Sequence, residues 1–268
     1  MTIEETGSSP VTQWDPVLTK RFMTLVRPIA KGWFRSEVQG LDSFPAGGAL
    51  VVSNHSGGLI AVDVPVFAID FYDTFGYVRP VFTLSHDLLF QGPQTQLLEG
   101  TGFIRATRDN AAAALRAGGV VVVFPGGDYD AYRPTAVANT VDFNGRTGYV
   151  KTALIAGVPI VPMVSIGGQE NQIYLSRGGW LARRLGLKKL IRSDILPITL
   201  GFPFGLSMLL PVNLPLPTKI VTKTLEPIDV VEQFGVDADP AVVDAYVRSV
   251  MQKALDELAS ARRFPVLG

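Results

Sequence analysis

The chain is 268 residues long, and its 24 Lys plus Arg are balanced by 24 Asp plus Glu, a formal charge of zero that argues against a polybasic nucleic-acid binder or an acidic tail protein. Hydrophobic residues make up 47% and charged residues 18%, with a mean hydropathy of +0.26, which argues against disorder and calls for a sizeable core or a lipid-facing surface. There is no Cys and there are only two His, His55 and His86, so disulfides, thiolate metal sites and Cys nucleophiles are excluded and a multi-imidazole zinc site is not expected.

Residues 1–15 read as a flexible tail, acidic and polar where a secretory signal would be basic and then apolar, so a cytoplasmic location is expected. In residues 16–38, Lys20, Arg21, Arg27, Lys31 and Arg35 interleave with Phe22, Leu25, Val26, Ile29, Trp33 and Phe34, and no acid intervenes between Asp15 and Glu37. An interfacial helix on anionic lipid has this pattern, and so has an amphipathic helix packed on the domain; in either case Pro28 must start, kink or end it. Residues 39–268 are read as one folded domain.

Residues 49–53 form a short β-branched run after a Pro-Ala-Gly-Gly turn and predict a buried strand. Further strands are expected at 77–84, 101–105, 120–124 and 158–166, the run at 120–124 being apolar throughout, as in a strand covered on both faces. Helices are expected at 63–75, across 88–99 with a break at Gly92-Pro93, at 109–117 with Asp109 or Asn110 as cap, at 148–156 and at 240–261. The alternation implies a single layered α/β domain with a mixed, largely parallel sheet flanked by helices.

Between Glu170 and Asp194 lie six cations, Arg177, Arg183, Arg184, Lys188, Lys189 and Arg192, and no acid; residues 195–217 then carry no charge at all. Five prolines in that stretch would strand backbone groups in lipid, so it is expected to be a shallow membrane-embedded or tunnel-lining loop rather than a transmembrane helix. Acids concentrate after Glu226, so overall neutrality conceals a cationic, lipid-facing side, and an anionic membrane surface is an expected partner.

The chemistry-bearing residues sit at predicted strand ends, where sites of layered α/β folds are built. Asn54-His55-Ser56-Gly57-Gly58 follows the first buried strand, and Asp63 stands eight residues after His55, placed either to orient the imidazole or to cap the next helix. Gly102-Phe-Ile-Arg-Ala-Thr-Arg108 supplies Arg105 and Arg108 ahead of a helix start, suited to a phosphate or to surface salt bridges. Phe124-Pro-Gly-Gly-Asp128 runs a strand into a tight turn whose Gly126 and Gly127 could expose backbone N–H groups. His86 is a reserve candidate.

Taken in order, Ser53-Asn-His55 with Asp63-Val-Pro65, Gly102 to Arg108, Val123-Phe-Pro-Gly-Gly127 and Val158-Pro-Ile-Val-Pro162 resemble the four blocks of the glycerolipid acyltransferase superfamily of the lysophosphatidate acyltransferase type, over roughly residues 40–228. Two departures stand out. The family separates its His and Asp by four residues where this chain has seven, and the Glu of its Phe-Pro-Glu-Gly block is Gly126 here, a pattern closer to the diacylglycerol acyltransferase branch. The resemblance implies a fatty acyl chain moved from acyl-CoA or acyl carrier protein, with no bound cofactor, to the hydroxyl of a lysophospholipid such as 1-acylglycerol-3-phosphate. It assigns His55 as general base, Asp63 as its orienting partner, Arg105 and Arg108 as phosphate ligands, Gly126 and Gly127 as backbone donors, and Asp128 as the replacement carboxylate. A neutral glycerolipid acceptor, or a non-catalytic lipid-binding protein on the same fold, stays open as an alternative. A lipid esterase built on Ser56 lacks the Gly-x-Ser-x-Gly elbow.

Overall fold

The computed structural model describes residues 10–55, 57, 62–188, 194–208 and 210–264. The strands are β1 (Glu37–Gln39), β2 (Ala49–Ser53), β3 (Val81–Ser85), β4 (Phe103–Arg105), β5 (Val120–Val123), β6 (Ile160–Ile166), β7 (Ile173–Ser176), β8 (Ile198–Gly201), β9 (Gly205–Met208) and β10 (Val221–Thr224). The helices are α1 (Pro16–Arg27), α2 (Asp63–Phe75), α3 (Thr95–Gly100), α4 (Arg108–Arg116), α5 (Gly127–Ala131), α6 (Gly148–Ala156), α7 (Gly179–Arg184), α8 (Val230–Phe234) and α9 (Pro240–Ala261).

Seven strands form the main sheet in the order β1-β10-β6-β2-β5-β3-β4, parallel except where β10 meets β6. This is the expected mixed, largely parallel α/β architecture. Alternate residues of the central strands feed two cores: Leu50, Val52 and Val121 pack with α4, α6 and α9 on one face, and Ala49, Val51 and Val122 pack with α2 and the buried side of α1 on the other. From β2 the chain proceeds to β3 on one side and later returns as β6 on the other. The carboxyl ends of β2, β5 and β6 therefore border a topological switch point, where a crevice opens.

The predicted elements at 49–53, 63–75, 148–156 and 240–261 have the expected bounds. Others differ for local reasons. Helix α4 begins one residue early and is capped by Thr107, whose extended backbone lets its hydroxyl accept the Asn110 N–H at 3.2 Å; Asp109 and Asn110 are already helical. Only residues 10–15 of the expected tail are described, and they are packed: 10–13 form a 3-10 turn, the Asp15 N–H donates to the Gly100 carbonyl, and the Asp15 carboxylate caps α1. In the basic segment, one face packs on the domain and the other is open. Met23, Ala30 and Phe34 are buried, and Arg27 and Lys31 pair with Asp73 and Asp70 of α2, whereas Leu25, Ile29 and Trp33 remain exposed. Pro28 ends α1 and opens a π-helical turn over Pro28–Trp33. The uncharged 195–217 stretch is not a simple loop: β8 and β9 form a hairpin that joins β7 in a second, antiparallel sheet. Among the described residues, no helix is long and apolar enough to cross a membrane.

Candidate active site

At the end of β2 the Asn54 side chain takes over the role of the strand. Its amide N–H donates to the Ser165 carbonyl at 2.9 Å and its oxygen accepts the Ser165 N–H at 2.8 Å, prolonging the β2–β6 pairing by one residue and fixing the direction in which the chain enters His55. The His55 N–H donates to Oδ2 of Asp130 at 2.5 Å. Gly57 lies in the left-handed region at φ +111° and passes Gln169 closely enough that a Cβ would stand 3.4 Å from its Cα. The chain then enters α2, whose first residue, Asp63, is 1% exposed and sets its Oδ2 3.1 Å from Nδ1 of His55. The longer spacing does not separate the pair. Nor does Asp63 act as the N-cap of α2, a position held by Val62. Ser56 lies outside the described residues.

The turn after β5 supplies the second side of the site. The Phe124 ring lies 4.6 Å from the His55 ring, centroid to centroid. Of the two glycines that follow, Gly126 is required by packing and Gly127 by its backbone. A Cβ on Gly126 would stand 2.4 Å from the Cβ of Asp130, and Gly127, at φ +51°, leaves room for Nη1 of Arg146 2.7 Å from where its Cβ would be. The Gly127 N–H already donates to the Phe124 carbonyl, so it is committed to the turn rather than to an oxyanion. Asp128, expected as the replacement carboxylate, is half-exposed and accepts from Arg146 at 3.3 Å. It is Asp130, fully buried, that reaches the His55 main chain, and its other oxygen pairs with buried Arg133. Burial, and then the neighbouring Arg177 charge, push the Arg133 guanidinium down to about 10, so it stays charged at neutral pH. Because Gly126 has an ordinary right-handed backbone, Gly126→Ala tests contact alone: it is expected to destabilise by about 1–3 kcal/mol through overpacking against Asp130. Thermal unfolding reads this as a fall of about 2–4 °C per kcal/mol, and an unchanged Tm would show that the turn yields.

Beyond Phe124 opens a cavity of about 730 Å³, with apolar walls from Leu84 and Val123 and cationic ones from Arg108 and Arg146. The N-termini of α4, at Arg108, and of α6, at Gly148, both reach this cavity, so two positive helix ends and two guanidinium groups face one space. Arg105 is elsewhere: it lies over the Phe90 ring, 3.6 Å from Asp87, and is not among the cavity's lining residues. His86 is on the cavity wall. Sequence reasoning missed Arg146 and Asp130. The first offered only the signal of a cation between an Asn-Gly turn and a helix start, and the second sits two residues past the acid that the motif singled out.

A His–Asp pair thus stands at the carboxyl edge of a mixed α/β sheet, separated by the Phe124 ring from a cavity with a cationic end. A family model for acyltransferases matches residues 35–166. An uncharacterized protein of Mycobacterium leprae is 30% identical over 268 residues, covering 98% of this chain and 69% of that protein. An uncharacterized protein of Mycobacterium tuberculosis is 32% identical over 250 residues, covering 89% and 67%. The DGAT1/2-independent enzyme synthesizing storage lipids of Mus musculus is 27% identical over 218 residues, covering 79% of this chain and 62% of that enzyme. Among solved structures, the 1-acyl-sn-glycerophosphate (LPA) acyltransferase PlsC from Thermotoga maritima shares the fold with a TM-score of 0.55 at 18% identity, over 90% of this chain and 81% of that one. The chain belongs to the acyltransferase family.

Proposed function

We propose that the protein is an O-acyltransferase of the cytoplasmic membrane face, moving a fatty acyl chain from acyl-CoA or acyl carrier protein to the hydroxyl of a lysophospholipid such as 1-acylglycerol-3-phosphate. In this reading Asp63 holds Nδ1 of His55, leaving Nε2 to take the acceptor's hydroxyl proton. The acceptor oxygen attacks the thioester carbonyl carbon, an ester C–O bond forms, the C–S bond breaks, and the departing thiolate recovers the proton from the imidazolium. No acyl-enzyme is needed.

The observation that carries the acceptor class is the convergence of Arg108, Arg146 and two helix N-termini on the cavity beside Phe124. A phosphate there meets the fork of Arg108 and favourable dipoles, with the Arg146 charge, itself held by the Gly126 carbonyl and Asp128, alongside, while an acyl chain meets the apolar walls. Arg105, held at Asp87, is left out of this reading. A neutral acceptor is the second reading, favoured by the Pro125-Gly-Gly turn and by likeness to the murine storage-lipid enzyme.

The test is a palmitoyl thioester offered with lysophosphatidate, other lysophospholipids, monoacylglycerol and diacylglycerol, with products read by mass spectrometry. Arg108→Ala is expected to raise KM for lysophosphatidate by about 10- to 100-fold, the loss of a charge-assisted hydrogen bond, and to leave neutral acceptors unchanged. Labelling confined to diacylglycerol would reject the phosphate-bearing acceptor.

A further inference from the structure

We propose that the small sheet β7-β8-β9 is the element that seats the protein on an anionic bilayer, with the β8–β9 tip entering the apolar boundary of the lipid. The proposal rests on the membrane-surface reading above and names the surface that performs it.

The sheet is inverted with respect to water. In β8 and β9 the inward residues are polar: Thr199 and Ser207 are 6% exposed and hydrogen-bond each other at 2.9 Å. The outward ones are apolar, and Leu200, Phe202, Phe204, Leu206, Met208 and Leu210 are between 40% and 69% exposed. A sheet with one face on a core and one in water alternates the other way, so this outer face suits an apolar neighbour.

The tip is also built to leave water. Asn213, 1% exposed, accepts the Phe204 N–H and donates to the Gly205 carbonyl and to Ser207 Oγ, and the Leu214 N–H donates to the Phe202 carbonyl at 2.7 Å. The Phe204 N–H and the Phe202 and Gly205 carbonyls are thereby paired within the protein, which lowers the cost of entering hydrocarbon. Gly201 is glycine because a Cβ there would stand 2.8 Å from that of Asn213.

Charge selects lipid as the occupant. No charged residue interrupts 195–217, and the preceding helix α7 exposes Arg183 and Arg184 beside Trp180, the pairing of aromatic ring and cation that suits an anionic headgroup layer. The exposed side of the N-terminal segment adjoins the same surface, since Trp33 Nε1 donates to the Pro215 carbonyl and Arg35 to that of Pro217. The segment that leads into β8 also forms part of the cavity wall, through Ile195 and Pro197, so seating the sheet on lipid brings that wall to the pool of acceptor.

Because the chain has no Cys, Phe204→Cys can carry a single environment-sensitive fluorophore, with Val78→Cys, 87% exposed in the turn before β3, as the control. With phosphatidylcholine/phosphatidylglycerol vesicles, the label at 204 is expected to shift to the blue and lose quenching by aqueous iodide, and the label at 78 to change in neither respect. The Phe202→Ser/Phe204→Ser/Leu206→Ser protein, folded by circular dichroism, is expected to bind these vesicles about tenfold or more weakly. Vesicle binding with no change at 204 would overturn the proposal and leave the membrane reading standing on the N-terminal segment. No vesicle binding by the parent protein would overturn both. A concentration-dependent blue shift at 204 without vesicles would overturn it in favour of a second copy of the chain on this face.

Discussion

Replacing His55 with Ala is expected to lower acyl transfer by about 10²- to 10⁴-fold while leaving the fold and vesicle binding intact, the range associated with a positioned general base. The more informative partner is Asp63→Asn. It keeps shape and volume at a site only 1% exposed to solvent, but an amide can present an N–H to Nδ1, 3.1 Å from Oδ2, where a carboxylate can only accept. The imidazole then carries its proton on Nε2 and has no lone pair for the acceptor hydroxyl, so the loss is expected to approach that of His55→Ala. The measurement is single-turnover transfer from a palmitoyl thioester, with vesicle flotation run in parallel. Transfer unchanged in His55→Ala would establish a lipid-binding protein that keeps the fold without the chemistry.

The parts of the fold legible in the sequence are those specified by local patterns. Residues 49–52 and 120–123 are uninterrupted apolar runs because both faces of β2 and β5 are covered, and α6 has its bounds announced by glycines at 148 and 157. The site was half legible for the same reason: His55 and Phe124 are at strand ends, which pattern reveals. What remained hidden depends on partners distant in sequence. Whether Arg27 and Lys31 face lipid or the domain stays open in the sequence because Asp73 and Asp70, which pair with them, lie on another helix. The hairpin β8–β9 has the sequence of a loop because its prolines and glycines suggest turns, and period-2 alternation does not reveal which face points inward. Asp130 is hidden in the sequence because nothing local distinguishes it from Asp128, whereas the fold buries one and leaves the other half-exposed on Arg146.

That difference makes Asp130 a positioning residue, and its role is separable from its contribution to stability. One carboxylate oxygen accepts the His55 N–H and the other pairs with Arg133, and Asp130 and Arg133 are both within 1% of full burial. Asp130→Ala is expected to cost about 3–5 kcal/mol, since it leaves an uncompensated buried guanidinium. Removing both charges relieves that penalty, because a buried ion pair replaced by apolar groups is often neutral in stability. Two double variants then divide the functions. Asp130→Asn/Arg133→Met retains an amide oxygen to accept the His55 N–H and is expected to keep kcat near the parent value. Asp130→Leu/Arg133→Met has comparable stability in urea unfolding but offers the main chain no acceptor, so kcat is expected to fall at least about tenfold with KM little changed, the mark of a displaced base rather than a damaged binding pocket. Equal kcat in the two double variants would show that the Asn54 pairing and the contact with Asp63 hold His55 without help from below.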